Sequence, residues 1–184
     1  MENHSVTMLR PHMDEIPQIP FPAGYSTRLY RPGEGRLWTA IQRAAEKLFP
    51  IEDDLFDNQF KRDYAALEDR SFFIIDGDQR TVGTITAWWE PDWRDGDWGQ
   101  IHWVAIHPQY QGKGLAKPAM TVAMNRLAQS HKRAFLGTSS GRPAALKVYL
   151  DFGFVPDLSK PDSREAWAYI KSVLPHPALA AHDL

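Results

Sequence analysis

The stretch Gln109-Tyr110-Gln111-Gly112-Lys113-Gly114-Leu115-Ala116 constrains this chain more than any other, because it must turn a strand into a helix within a few residues. Upstream, Trp98 to Ile106 reads as a strand that His107-Pro108 stops. Downstream, Leu115, Pro118, Ala119, Val122, Ala123 and Leu127 recur at helical spacing within 114–129. Pro118 falls in the first turn or so, where its missing donor costs least. Gly112 and Gly114 let the backbone pass close to a ligand with no Cβ in the way. The helix start offers unpaired N–H groups and a dipole that favours an anion, and Lys113 adds a positive charge. Such a loop suits a pyrophosphate. The spacing is neither G-x-x-x-x-G-K-[ST] nor G-x-G-x-x-G, so the two commonest phosphate-binding fingerprints are absent. Taken alone, a Gly-x-Gly more often serves only the conformation of a turn.

The elements around this loop set the fold class. Pro11, Pro17, Pro20 and Pro22 mark residues 1–23 as an irregular arm. Tyr25 to Tyr30 alternates as a strand, and Leu37, Trp38, Ile41, Ala44, Ala45 and Leu48 follow at helical spacing until Pro50. Leu55, Phe56, Phe60, Tyr64 and Leu67 make a weaker helical pattern, with Asp53 or Asp54 as N-cap. After Arg70 the period changes. Phe72 to Ile75 and Val82 to Trp89 are strand-like runs joined through Asp76-Gly77-Asp78, a hairpin signal. Phe135 to Thr138 reads as a strand, Pro143 to Asp151 as a helix, and Phe154-Val155 as the start of another strand. A last helix carries the capping-box spacing Asp162 to Glu165 and runs to Leu174. The order β-α-α-β-β-β-α-β-α-β-α is that of an α+β (mixed α/β) domain over residues 24–174, followed by a tail at 175–184.

Composition excludes several functions. A formal net charge of -2 lacks the electrostatic footprint of a nucleic-acid binder. No apolar run approaches the length that a bilayer requires, and the first residues lack the basic-then-apolar pattern of a secretory leader. With Cys 0, thiolate catalysis and cysteine-rich zinc sites are ruled out, and the seven histidines show no HExxH spacing. The expectation is a cytoplasmic protein with no nucleic-acid, membrane or metal partner; a homodimer is left open.

The loop does not stand alone. The run from Gln111 to Ala116 resembles the Q/R-x-x-G-x-G/A acyl-CoA-binding motif of the GCN5-related N-acetyltransferases (GNAT). It follows Trp103-Val104-Ala105-Ile106-His107-Pro108, which looks like that family's fourth strand. Ala144 to Phe154 is similar to its A-x-x-x-Y-x-x-x-G-F segment. The resemblance implies a three-layer fold with a mostly antiparallel twisted sheet of about six strands. Those strands splay between the fourth and fifth and are flanked by helices. It implies acetyl-CoA as cosubstrate, its pantetheine arm held by main-chain groups of Val104, Ala105 and Ile106. The N–H groups of Gln111, Gly112, Lys113, Gly114, Leu115 and Ala116 would then hold the pyrophosphate. Tyr149 would take the place of the tyrosine near the sulfur. A phenol with a reference pKa of about 10 is a sensible acid toward a thiol of about 8.5, or else it positions the thioester.

The departures from the family concern the acceptor. An alkylammonium of pKa about 10.4 must lose a proton before it attacks. Where some relatives carry a glutamate this chain has Gln100, which cannot be a base. Alternation puts Gln100, His102 and Val104 on one face if no bulge intervenes, which makes His102 a candidate. Glu90, opposite Trp98 in a simple hairpin register, is a second, and a water-mediated route is the third. Relatives often carry an asparagine seven residues before the tyrosine; here it is Arg142, directed at a phosphate or an acceptor carboxylate, with Ser139 and Ser140 as substitute hydrogen-bonding groups. The chain ends in a helix where many relatives finish with a seventh strand. Trp38, Phe49, Phe56, Trp88, Trp89, Trp93, Trp98, Trp167 and Tyr169 are candidate walls of the acceptor site, with Asp53, Asp54, Asp95 and Asp97 as steering charges. The implied reaction is acetyl transfer to a small-molecule primary amine by direct attack in a ternary complex. A protein lysine or N-terminus is the alternative acceptor, and an acyl-CoA sensor without turnover is the alternative class.

Acetyl-CoA should therefore raise the melting temperature of the wild type and leave that of Gly112→Trp unchanged; equal protection of both would place the pyrophosphate elsewhere.

Overall fold

Fully buried apolar runs organise the molecule around one sheet. The computed structural model describes residues 3–96 and 98–182. Its strands are β1 (Ser5–Arg10), β2 (Tyr25–Leu29), β3 (Ser71–Asp76), β4 (Thr81–Trp89), β5 (Trp98–Ile106), β6 (Arg133–Ser139) and β7 (Val155–Pro156). They form a seven-stranded sheet in the order β2-β3-β4-β5-β6-β1-β7. All pairings are antiparallel except that of β5 with β6. The helices are α1 (Gly35–Ala45), α2 (Leu55–Phe60), α3 (Leu67–Arg70), α4 (Ala116–Ala128), α5 (Pro143–Asp151), α6 (Ser163–Val173) and α7 (Pro177–Ala180). Strand β4 is buried from Val82 to Trp88, as befits a central strand covered on both faces.

Each face has its own core. On one, α4, α5 and α6 bury Ala119, Ala123, Leu127, Leu146, Leu150 and Trp167 against Met8, Val82, Ile101 and Leu136. On the other, an aromatic cluster joins Tyr30, Trp38, Phe56, Phe60, Leu67, Phe73 and Trp88 under α1, α2 and α3. The Asp76-Gly77-Asp78 hairpin forms as its sequence predicts, with Asp76 Oδ1 accepting the N–H groups of Asp78 and Arg80 at 3.0 and 2.9 Å. Asp54 and Asp162 occupy N-cap positions, yet neither side chain makes a capping hydrogen bond.

The N-terminal segment departs from expectation. Residues 5–10, read as part of an irregular arm, form an inner strand that pairs with β6 from Ser5↔Ser139 to Arg10↔Ala134. Its other edge takes β7 at Met8↔Pro156 and Leu9↔Val155. Val6 and Met8 point into the α4–α6 core. The strand that a helix-ending chain would lack thus comes from the start of the chain, and the sheet has seven strands where about six were expected. The rest of the arm is tied along α4. Thr121 Oγ1 accepts the Ile19 N–H at 3.1 Å and donates to the Pro17 carbonyl at 2.8 Å, while Gln18 and Asn125 exchange two amide hydrogen bonds. The tail carries the short helix α7, whose Leu179 is buried.

Met8 has no exposed surface. Met8→Ala should cost about 2–5 kcal/mol in urea unfolding, the range for a large-to-small change in a packed core. A change within about 0.5 kcal/mol would mean that β1 is a loosely attached arm.

Candidate active site

Strands β5 and β6 are parallel neighbours for only a few residues. They pair at Trp98↔Arg133, Gly99↔Ala134 and Gln100↔Phe135, and beyond Gln100 the ladder ends and the strands diverge. A bulge in β5 coincides with the divergence. Thr86 faces His102 and Thr84 faces Ala105, so Trp103 and Val104 together oppose Ile85. Trp103 sits at φ +48, a conformation that costs a non-glycine residue on the order of 1–3 kcal/mol. Its partners hold it there. Its carbonyl accepts from Gln42 Nε2 at 3.0 Å and Thr84 Oγ1 at 3.3 Å, and its indole N–H donates to Gln59 Oε1 at 3.0 Å. The bulge also breaks the alternation that would have set Val104 beside Gln100 and His102. Trp103 packs on the aromatic cluster, and Val104 packs on the α4–α6 core.

A cavity of about 610 Å³ opens in the wedge between the two strands. Gln100, His102 and Val104 line it from β5, Gly137 and Thr138 from β6, Arg142 from the N-cap of α5 and Tyr149 from within that helix. Burial pushes the Tyr149 phenol up to about 12, against the opposing influence of Arg142. It therefore keeps its proton throughout the neutral range.

Arg142 has partners of its own within the protein. It donates to Ser139 Oγ at 2.8 Å and to Glu46 Oε2 at 2.7 Å, and its guanidinium lies 5.7 Å from the centre of the Phe49 ring. Glu46 also accepts the N–H groups of Lys47 and Leu48. Burial pushes its carboxyl up, but the bonds from Leu48 and Arg142 outweigh this and hold it below the usual range. The Ser140 hydroxyl accepts the His4 N–H at 2.9 Å.

The two candidate bases fare differently. His102 lines the cavity, with Nε2 3.0 Å from Gln59 Oε1 and its ring against Phe60 and Trp103. Gln59 Oε1 already accepts from Trp103, so it also accepts from His102, which places the His102 proton on Nε2. Burial, with the nearby Arg62 cation, drives the imidazole down to about 3. Such a group is neutral at pH 7 but a weak base. Glu90 lies outside the cavity lining, paired with Arg62 at 2.8 Å, although the hairpin keeps the expected register through Trp88↔Gln100 and Trp89↔Gly99.

The glycine loop follows β5. Residues 108–110 form a single 3-10 turn, and Gln111 Nε2 donates back to the Ile106 carbonyl at 2.9 Å. Gly112 and Gly114 have φ of +76 and +75, which side-chain-bearing residues rarely adopt. A Cβ placed on Gly112 would meet nothing within 4 Å, so open space faces the loop. Lys113 Nζ lies 4.9 Å from the centre of the Tyr110 ring, beside the N-terminus of α4. The open space, the cation and the helix N-terminus fit the pyrophosphate of coenzyme A, and the wedge fits its narrow arm.

Several lining residues had no signal in the sequence: His4 just before β1, Ser5 and Thr7 from β1, and Glu46 just beyond α1. Of the aromatic candidates, Trp38, Phe56, Trp88 and Trp167 are core residues and Trp98 is buried. Phe49 lines the cavity, and Trp93 stacks on Phe135 with ring centres 3.8 Å apart. Asp53 pairs with Arg43, Asp95 with Arg133, and Asp97 lies outside the described residues. A larger groove of about 910 Å³ between α1 and α2–α3 includes none of the glycine-loop or tyrosine-motif residues. Among the described residues no group of three His, Asp or Glu side chains is placed to hold a metal, and no helix is long and apolar enough to cross a membrane.

The model of the acetyltransferase (GNAT) family matches residues 36–154. The mycothiol acetyltransferase of Streptomyces coelicolor is 27% identical over 145 residues, covering 77% of this chain and 46% of that protein. The chain thus spans about half the length of the curated relatives it matches. Among solved structures, a GCN5-related N-acetyltransferase from Sphaerobacter thermophilus superposes with a TM-score of 0.63 at 18% identity, covering 84% of this chain and 48% of that one. Spermidine N-acetyltransferase from Vibrio cholerae, solved with CoA and spermine, gives 0.55 at 18% identity over 74% and 83% of the two chains.

The His102 environment predicts a pH dependence. Its folded-state pKa lies below the unfolded value of about 6.5, so the unfolded chain binds the extra proton first. Stability should fall as pH drops from about 6.5 toward 3. In His102→Gln that part of the urea-midpoint profile should flatten; an unaltered profile would show that His102 does not resist protonation.

Proposed function

The chain belongs to the acetyltransferase (GNAT) family, and from that premise we propose that it transfers an acetyl group from acetyl-CoA to a primary amine of a small molecule by direct attack in a ternary complex. The observation that carries this reading is the cavity in the β5–β6 wedge, which Tyr149 and the bulged backbone of β5 line together. The bound cosubstrate supplies an acetyl group activated as a thioester. Main-chain groups of Val104, Ala105 and Ile106 hold its arm and orient the carbonyl, acting as fixed dipoles that need no reorganisation. The N–H groups from Gln111 to Ala116 hold the pyrophosphate, with Lys113 beside them.

Tyr149 acts on the sulfur. A phenol near 12 facing a thiol of about 8.5 makes full proton transfer uphill by roughly 5 kcal/mol. Tyr149 therefore donates a hydrogen bond to the sulfur as the carbon–sulfur bond breaks, and the thiolate takes its proton from solvent. On the amine side, Gln100 has no basic atom, His102 is a weak base and Glu90 lies outside the cavity. The amine proton leaves through water as the nitrogen–carbon bond forms. The mycothiol and spermidine acetyltransferases among the similar proteins support a small acceptor over a protein lysine or N-terminus.

A thiol-reactive dye reads only released CoA here, because the chain has no cysteine. With a panel of small amines, Tyr149→Phe should lower kcat about 100-fold, the usual loss on removing one donor aimed at developing charge, with acetyl-CoA affinity within about 2-fold of wild type. Tight acetyl-CoA binding with no CoA release for any amine would instead favour a sensor.

A further inference from the structure

Strand β6 contains a glycine that the fold does not use. Gly137 is exposed, although the residues before it, Ala134, Phe135 and Leu136, are buried. Its φ is not positive, and a Cβ added to it would meet no heavy atom within 4 Å. Neither a turn nor a close backbone approach demands glycine there. A strand interior nevertheless loses about 0.5–1 kcal/mol by carrying glycine rather than alanine. Such a residue marks a place where something other than the protein comes close.

Its surroundings say what kind of place it is. Along β6 the same sheet face carries Phe135 and Ser139, two residues to either side. Both positions are filled: Trp93 stacks flat on Phe135, and Arg142 bonds to Ser139 and Glu46. Across the ladder with β1, Gly137 faces Thr7. On its other side lies the wedge, lined by Gln100 and His102. Gly137 is thus a notch one side chain wide in the floor of the cavity, closed at both ends and open upward.

We infer that Gly137 is a specificity-determining residue, and that the notch receives bulk attached next to the acceptor's amino group, so that the acceptor is an amine on a branched or ring carbon rather than a linear alkylamine. The inference rests on the acetyl-transfer reading above. A linear amine reaches the thioester without filling the notch, whereas a ring carbon brings substituents down onto the strand.

Gly137→Val tests it, because a β-branched residue suits a strand and meets no neighbour. The variant should melt at or above the wild-type temperature, and its acetyl-CoA affinity is measured beside the kinetics: a fall of more than 10-fold would put the notch in the path of the cosubstrate and overturn the assignment. Wild type should acetylate a ring amine, D-glucosamine as probe, with higher kcat/KM than 1,4-diaminobutane. Gly137→Val should lose at least 10-fold in kcat/KM for the ring amine, mostly through KM, and less than 3-fold for the diamine. Equal losses for both probes, unchanged kinetics for the ring amine, or a lowered melting temperature would each overturn the assignment while leaving acetyl transfer intact. A wild type that binds acetyl-CoA but releases no CoA with any amine would overturn the acetyl-transfer reading itself, and this inference with it.

Discussion

Trp103 holds its carbonyl against Gln42 and Thr84 in a backbone conformation that a tryptophan does not adopt unaided, and the geometry of the site follows from that bulge. The extra residue turns β5 away from β6 just beyond Gln100, where their ladder stops. A wedge between two strands leaves main-chain groups without sheet partners. In a protein interior such groups are costly unless a ligand or water satisfies them. The strain at Trp103 is local, and the aromatic cluster beneath α1 and α2 bears it through Trp38 and Gln59. Core packing and the shape of the wedge are therefore coupled on the face of the sheet opposite α4.

The other wall of the wedge depends on the chain's first residues. Strand β6 would be exposed along its second edge without β1, and β1 in turn carries β7. His4, Ser5 and Thr7 line the cavity because that strand is threaded beside β6. Charge in the cavity is mostly internally balanced. Glu46 is neutralised by Arg142, and Asp157, at the end of β7, by Arg94 at 2.7 Å. Such an environment orients polar groups, as the proposed water-mediated release of the amine proton requires.

Much of the fold was legible in the sequence because its signals are local. The Asp76-Gly77-Asp78 turn, the glycine loop before α4 and the Arg142-Pro143 start of α5 each declare themselves within a few residues. Strand β1 was not legible for the opposite reason. Its alternation, Val6 and Met8 inward, is only six residues long, and the prolines from Pro11 onward obscure it. Its partner lies some 130 residues away. The candidate site was legible in its local motifs. Gly112 and Gly114 take the positive φ of the strand-to-helix turn and Tyr149 lines the wedge cavity, whereas the roles open to His102, Glu90 and Arg142 depend on tertiary partners. Gln59, Arg62 and Glu46 respectively decide those roles, and nothing in the spacing of the chain announces them. The bulge was equally hidden, since tryptophan carries no propensity for positive φ.

The proposed acetyl-CoA site in the β5–β6 wedge is best tested by a crystal structure of the protein soaked or grown with acetyl-CoA. The pantetheine arm should lie between Val104–Ile106 and β6, the pyrophosphate on the N–H groups of 112–116, and the thioester sulfur within hydrogen-bond reach of the Tyr149 hydroxyl. Density for the cosubstrate in the groove between α1 and α2–α3, with the wedge closed to it, would rule that site out.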